Sequence, residues 1–159
     1  MGSIMFGCLF NMIALVQRVV TASITIDEKV YSKINQGLLI LLGIHNNDNQ
    51  TDADYLCKKI RNLRIFLDSN NKMNLSVIDI KKEILLVSQF TLYGKCDKGN
   101  RPSFIESAPS SHAKPLYDYI INQFKNYKIS IQTGQFGANM QVNLVNDGPV
   151  TLIINSKNE

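Results

Sequence analysis

Two continuous apolar runs constrain the fold of this chain more than any other feature. GLLILLGI occupies residues 37–44, and EILLVSQF occupies residues 83–90. Short apolar runs of this length, bounded by glycine and polar residues, are typical of strands that are buried on both faces. The chain must therefore cover both sides of a central sheet.

The other segments supply a sheet and two helices. Further strand-like runs are IALVQRVV, SITI, KVYSKI, MNLSVIDI, KISIQT, MQVNLVN and VTLIIN. A first helix is predicted to open at Thr51, with Asp54 completing a capping box and an apolar stripe that ends at Leu67. A second helix is predicted over residues 111–126. The sequence thus predicts a single α+β, sheet-dominated domain with two helices packed outside the sheet.

Composition excludes several classes of protein. Of the 159 residues 45% are hydrophobic and 19% are charged, which is typical of a globular chain. Three cysteines and two histidines without metal-ligand spacing argue against a zinc site and for a reducing compartment. We expect neither a metal nor another cofactor.

The first sixteen residues carry no charge but lack the basic start of a secretory signal. Their apolar run is also shorter than the roughly 20 residues that a membrane-spanning helix needs. We therefore predict that residues 1–11 are an N-terminal extension, that residues 12–159 form the domain, and that the chain associates with no membrane.

The charge is unevenly distributed. The chain has a formal net charge of +4, yet residues 58–101 contain ten basic and four acidic residues, an excess of six positive charges. Such a segment indicates a polyanionic partner if its side chains share a face, or else a solvated helix surface.

Two segments end strand-like runs with residues that local structure does not require. SQFTLYG, residues 88–94, places hydroxyl and amide side chains where a buried strand emerges, and free backbone N–H groups there could face a ligand. NDGPVT, residues 146–151, predicts a turn between two strands, although a Gly-Pro bond can also be retained as cis. Both segments also have purely structural interpretations.

These segments, with LVQRV near the start and RPSF in a polar loop, resemble the D-aminoacyl-tRNA deacylases. The resemblance runs from Met12 to Ile154 without large gaps, and the family begins at the position of Met12. It implies a β-barrel-like fold and a cytoplasmic homodimer that hydrolyses the ester of D-aminoacyl-tRNA, and also of glycyl-tRNA, as a proofreading step in translation.

The resemblance also implies roles for individual residues. A cis Gly-Pro peptide of one subunit would enter the partner's site and reject L-amino acids, held in place by an arginine. The scissile ester would be received by the SQFTL segment, and two further side chains would line the site near the 3′-terminal adenosine. These roles map onto Gly148, Pro149, Val150 and Arg18 for chiral selection, onto Ser88, Gln89, Phe90 and Thr91 for catalysis, and onto Phe136 and Met140 for the adenosine site.

An activated ester needs little more than positioned donors, and one good donor to the oxyanion supplies about 3 kcal/mol. We therefore hypothesise that Thr91 positions or polarises the substrate while a ribose hydroxyl or water moves the proton. The candidates for phosphate contacts are Lys95, Lys98 and Arg101, with Lys58, Lys59 and Arg61 as weaker ones. Two alternatives stay open: a nucleic-acid-binding homodimer without activity, and a dimeric structural domain whose Gly-Pro loop seals an interface.

Overall fold

The computed structural model describes residues 11–156. The predicted extension lies outside these residues except for Asn11, and the boundary at Met12 stays a prediction. The strands are β1 (Ile13–Ile26), β2 (Lys29–Ile34), β3 (Gly37–Gly43), β4 (Phe66–Leu67), β5 (Met73–Leu75), β6 (Glu83–Ser88), β7 (Ile131–Thr133) and β8 (Gln141–Asn155). The helices are α1 (Gln50–Asn62) and α2 (Ser110–Asn126), and a 3-10 turn covers Phe90–Tyr93.

Six strands form one sheet in the order β2-β1-β3-β6-β7, and β8 pairs with the other side of β1. β6 runs parallel to β3 and to β7, whereas the pairs that involve β1 are antiparallel. The two ends of the order meet where the Ser32 hydroxyl of β2 donates to the Thr133 carbonyl of β7 over 2.8 Å. The sheet is therefore nearly closed, which confirms the predicted sheet-dominated, barrel-like α+β fold.

Both faces of β3 and β6 are buried, as their apolar runs predict. Leu38 and Ile40 point into a core shared with both helices, where they join Leu56 of α1 and Phe124 of α2. Leu39 lies in a second core, which residues of β1, β2 and β6 complete from inside the curled sheet. The two helices thus cover one face, while the sheet covers its other face by closing on itself.

The start and end of α1 differ from the prediction. The N-cap is Asn49, whose side chain accepts from Thr51 N over 2.9 Å, and Asp52 completes the capping box by accepting from Asn49 N. The predicted cap at Thr51 with Asp54 is wrong because the chain offers the same cap pattern two residues earlier. The helix ends at Asn62, so Leu67 is not part of its apolar stripe and lies in β4.

Several predicted strands have different limits. IALVQRVV and SITI form the single strand β1, and only Met73–Leu75 of MNLSVIDI is a strand. The predicted turn at NDGP is also wrong, because β8 continues through it and both halves pair with β1 in the same direction. Gln17 opposes Thr151 whereas Val19 opposes Asn146, so residues 147–150 leave the ladder opposite Arg18. We call residues 147–150 the excursion.

Candidate active site

A cleft of about 630 Å³ opens at the carboxyl end of β6. The Gln89 N–H donates to the Leu42 carbonyl over 2.8 Å, so the pairing of β6 with β3 continues one residue beyond the strand. The chain then turns into the 3-10 turn that starts at Phe90. Ser88, Gln89 and Phe90 consequently form one wall of the cleft.

Hydrogen-bond donors are concentrated at this wall. The backbone N–H groups of Phe90 and Thr91 begin the 3-10 turn, and the first N–H groups of a helical turn have no acceptor within that turn. The Gln89 side-chain amide donates a short hydrogen bond to the Thr91 hydroxyl. Thr91 is exposed and does not itself line the cleft, but its hydroxyl accepts from the Gln89 side chain, which does. The arrangement suits the stabilisation of an oxyanion.

Aromatic and flexible side chains build the remaining walls. Phe104 meets the exposed ring of Phe90 edge-on, with ring centroids 5.2 Å apart. Phe136 lies across the cleft and packs on Tyr117, whose hydroxyl donates to the Leu86 carbonyl. Met140 completes this side. The structure therefore brings the two residues predicted for the adenosine site, Phe136 and Met140, into one cleft with the SQFTL segment.

The excursion is fixed by a buried arginine. Arg18, only 6% exposed, donates from Nε to the Asp147 carbonyl over 2.9 Å and from Nη1 to the Ile65 carbonyl over 2.7 Å. The Gly148-Pro149 peptide bond is cis. Both residues are exposed, whereas Val150 is buried in its own chain and donates its N–H to Asn146 Oδ1 over 2.7 Å.

The excursion and the cleft of the same chain lie far apart. Arg18 is in register with Leu38, and Leu38 with Ile84 near the start of β6, whereas the part of β6 that lines the cleft begins at Val87. At about 3.3 Å per residue, the three residues from Ile84 to Val87 separate the two levels by about 10 Å along the strands. The cleft also reaches β8 itself at Val142, which precedes the excursion by five residues of the same strand. The Gly-Pro peptide is thus placed away from the cleft of its own chain.

Neither histidine contributes to the cleft walls. His45 is buried against Tyr93, and His112 contacts the Asp48 carbonyl from the first turn of α2. Burial raises the pKa of the Tyr117 hydroxyl well above its usual range, so Tyr117 remains neutral beneath Phe136. Among residues 11–156 no three His, Cys, Asp or Glu side chains are grouped to hold a metal ion. In the same residues no helix is long and apolar enough to cross a membrane.

The predicted phosphate contacts occupy different environments. Lys95 lies on the loop beside the cleft and forms an ion pair with Glu106, while Lys98 and Arg101 are exposed. Lys58 and Lys59 are exposed on α1. The guanidinium group of Arg61 instead lies 4.1 Å from the centre of the Tyr127 ring, and Arg61 is half-buried. None of these six basic residues lines the cleft.

Comparison with known proteins identifies the family. The sequence model of the D-Tyr-tRNA(Tyr) deacylase family matches residues 15–155. The chain belongs to this family. Its similarity to curated D-aminoacyl-tRNA deacylases is extensive: that of Thermosipho africanus is 57% identical over 144 residues, covering 91% of this chain and 97% of the relative. That of Finegoldia magna is 55% identical, with coverage of 91% and 98%.

Solved structures of similar proteins agree with this fold. The c-Myc DNA unwinding element binding protein shares 41% identity and a TM-score of 0.84, covering 89% of this chain and 97% of that protein. A probable eukaryotic D-amino acid tRNA deacylase shares 13% identity and a TM-score of 0.81, with coverage of 91% and 99%, which shows the fold alone. The family and the fold class predicted from sequence are thus confirmed.

Sequence reasoning missed several residues that build the site of this family member. Phe104 and the residue range 107–110 line the cleft from the loop that precedes α2. Asn146 holds the excursion together by contacting both the N–H and the carbonyl of Val150. An asparagine before Asp-Gly-Pro is a common turn residue, so the pattern hides this role.

Proposed function

We propose that this protein hydrolyses the ester bond of D-aminoacyl-tRNA, and of glycyl-tRNA, as a proofreading step in the cytoplasm. The observation that carries the proposal is the convergence of Gln89, Phe90, Phe136 and Met140 on one cleft, in a chain that belongs to a deacylase family. The relatives named above are D-aminoacyl-tRNA deacylases, and the cleft offers the donors that such a reaction requires.

The reaction uses backbone groups rather than a charged side chain. An aminoacyl ester develops negative charge on its carbonyl oxygen as water attacks, and the Phe90 and Thr91 N–H groups stabilise that charge. The hydrogen bond from Gln89 to Thr91 orients the Thr91 hydroxyl, which then positions or polarises the ester. A ribose hydroxyl or the attacking water moves the proton, since His45 and His112 both lie outside the cleft walls.

Chiral selection requires a second copy of the chain. The Gly148-Pro149 peptide lies away from its own cleft, so it acts in the cleft of a partner subunit. Its carbonyls then occupy the space of an L side chain and leave room for a hydrogen or a D side chain. Exposed apolar residues on β1 and β8 flank the excursion and suit a self-complementary interface: Val20, Leu144, Val145, Leu152 and Ile153.

A second candidate is a nucleic-acid binder without hydrolytic activity. The name of the solved relative with 41% identity, a DNA unwinding element binding protein, favours it. The same fold could retain a basic surface while losing turnover. This candidate predicts that charged tRNA binds and is released with its ester intact.

The test is the release of D-tyrosine and of glycine from charged tRNA, with L-tyrosyl-tRNA as the control substrate. We expect rapid release of D-tyrosine and glycine and no release of L-tyrosine. Pro149→Ala should lower the D/L ratio of kcat/KM or abolish turnover. Pro115→Ala is the matched control, because Pro115 is an exposed proline within α2.

Binding without release of any amino acid would instead establish the second candidate. A folded Pro149→Ala protein with unchanged D/L discrimination would refute the Gly-Pro mechanism. A monomer that remains active at nanomolar concentration would refute the cross-subunit arrangement.

A further inference from the structure

A second cavity, of about 320 Å³, lies at the other end of β6 from the cleft. Lys81 and Lys82, which precede the strand, line it together with Lys128 from the segment after α2. The buried side chains of Val77 and Ile129 contribute apolar surface. Three lysines therefore line one concave surface, which we call the lysine cavity.

In the described part of the chain no acidic residue lines the lysine cavity, so its three lysines give it a positive charge. Within residues 11–156 none of its three lysines forms an ion pair with a carboxylate. The acids closest in sequence are engaged elsewhere: Asp79 accepts from Ser76 N over 2.8 Å, and Glu83 accepts from Asn35 N over 3.0 Å. The cavity consequently attracts anions.

The backbone gives no reason for lysine at two of these positions. Lys81 has a φ of 51° and Lys128 a φ of 58°, both in the left-handed region. Glycine or asparagine adopts this conformation more readily than lysine does. Both lysines therefore stand at backbone positions where glycine or asparagine is the commoner residue.

The lysine cavity is continuous with the surface that holds the excursion. Lys82 also lines a depression of about 210 Å³, whose other walls include Arg18 and Asp147. Arg18 and Asp147 are the residues that fix the start of the excursion. One surface therefore runs from Asp147, the first residue of the excursion, through Lys82 to Lys128.

We infer that the lysine cavity binds the phosphate backbone of an RNA whose aminoacyl end lies in the cleft of the partner subunit. The inference rests on the proposed function, in which the excursion of one subunit enters the partner's cleft. The lysines beside that excursion then lie near the partner's cleft and not near their own, which is at the far end of β6. Lysine ammonium groups suit phosphates as point charges and read no base sequence, as an enzyme acting on many tRNAs requires.

The first experiment measures the salt dependence of binding to uncharged tRNA between 50 and 200 mM salt. The double variant Lys81→Gln/Lys128→Gln is compared with Lys29→Gln/Lys33→Gln, which removes two exposed lysines of β2. Losing two phosphate contacts should weaken binding and make it less sensitive to salt. The negative slope of log K against log salt concentration should become shallower by about 1.8. The β2 variant should keep the wild-type slope. Equal slopes for the two variants would overturn the inference.

The second experiment tests which subunit supplies the lysines, using mixed dimers with one active cleft. The inactive cleft carries Ala138→Trp, which fills the space between its walls and must first abolish turnover in a homodimer. We expect lower kcat/KM for D-tyrosyl-tRNA when the lysine substitutions lie on the blocked subunit. We expect wild-type kcat/KM per active cleft when they lie on the active subunit.

The two claims fail in different ways. The opposite pattern in the mixed dimers, in an otherwise active enzyme, would overturn the cross-subunit placement of the lysines. A wild-type protein that releases no D-amino acid would overturn the proposed function and the placement of RNA in the partner's cleft together. An active double variant with the wild-type salt slope would overturn the lysine cavity alone.

Discussion

Replacing Arg18 by methionine should destabilise the protein by about 3 kcal/mol, because two carbonyl groups lose a charged donor. A hydrogen bond to a charged group contributes about 1.5–3 kcal/mol, and Arg18 makes one to Asp147 and one to Ile65. The Ile65 carbonyl belongs to a buried residue, whereas the Asp147 side chain is 41% exposed and the chain there can reach water. We therefore take the lower end of the summed range of about 3–6 kcal/mol. The ion pair between Arg18 and the Asp147 carboxylate adds little, since exposed pairs contribute at most about 1 kcal/mol.

The assay is equilibrium unfolding in urea at one fixed protein concentration, because the proposed dimerisation would make the midpoint concentration-dependent. With a slope of about 2 kcal/mol per M, a loss of about 3 kcal/mol lowers the midpoint by about 1.5 M. Arg18→Lys retains the charge but cannot direct two donors to carbonyls on different segments, so we expect about half the loss. Lys33→Met, which removes an exposed cation from β2, should stay within about 0.5 kcal/mol of the wild type.

The same variants link stability to function. If Arg18 orders the excursion, a folded Arg18→Met protein should also lose discrimination between D- and L-tyrosyl-tRNA. A midpoint within about 0.25 M of the wild type would refute the energetic argument at the slope used above. A stability loss of about 3 kcal/mol with unchanged discrimination between D- and L-tyrosyl-tRNA would show that Arg18 supports the fold without positioning the Gly-Pro peptide.

Three other substitutions or modifications test separate parts of the structure. Asn49→Ala should cost about 1 kcal/mol in urea unfolding because it removes the cap of α1, whereas Thr51→Ala should leave stability within about 0.5 kcal/mol. Thr91→Ala should keep kcat within about tenfold of the wild type if backbone donors carry catalysis, and a loss of about a thousandfold or more with tRNA binding intact would favour a covalent Thr91 intermediate. Burial raises the pKa of Cys57 to about 12, so at pH 8 only about one Cys57 thiol in ten thousand is ionised. Iodoacetamide should therefore modify the exposed Cys96 before Cys57. Peptide mapping by mass spectrometry that finds Cys57 modified as fast as Cys96 would contradict this.

The sequence was sufficient for features that depend on one continuous pattern. Leu38, Leu39 and Ile40 are consecutive apolar residues, and a strand that buries consecutive residues must have cover on both faces. The end of the second apolar run at Ser88 likewise located the wall of the cleft. These inferences hold because a strand that is buried on both faces has apolar residues at consecutive positions.

Features that depend on a choice between equivalent local signals were harder to predict. Asn49 with Asp52 and Thr51 with Asp54 both match a capping box, and only the tertiary structure selects the first. Asp52 is favoured there because its other carboxylate oxygen accepts from the Ser156 hydroxyl, which comes from the end of β8. A contact between residues 104 positions apart cannot be predicted from the residues around either one.

The excursion shows why a strong turn signal can fail within a long strand. The chain does leave the ladder at this motif, but β1 continues opposite it. Pairing with β1 resumes at Thr151, so the two halves of β8 remain one strand. Arg18 occupies the position on β1 that faces the gap, which explains how a charged residue within a strand becomes buried.

Gly148 couples the position of the Arg18 side chain to that of the Gly148-Pro149 peptide. Its φ of +143° disfavours any L side chain, and an added Cβ would lie 2.7 Å from Val150 Cγ2 and 3.2 Å from Arg18 Nη2. Any residue larger than glycine must therefore displace the buried Val150, the guanidinium group of Arg18, or both. Since Arg18 in turn holds the carbonyl of Asp147, such a change would move the peptide that carries Pro149. The conformation of the proposed selectivity element thus depends on glycine at position 148 as directly as on the proline that follows it.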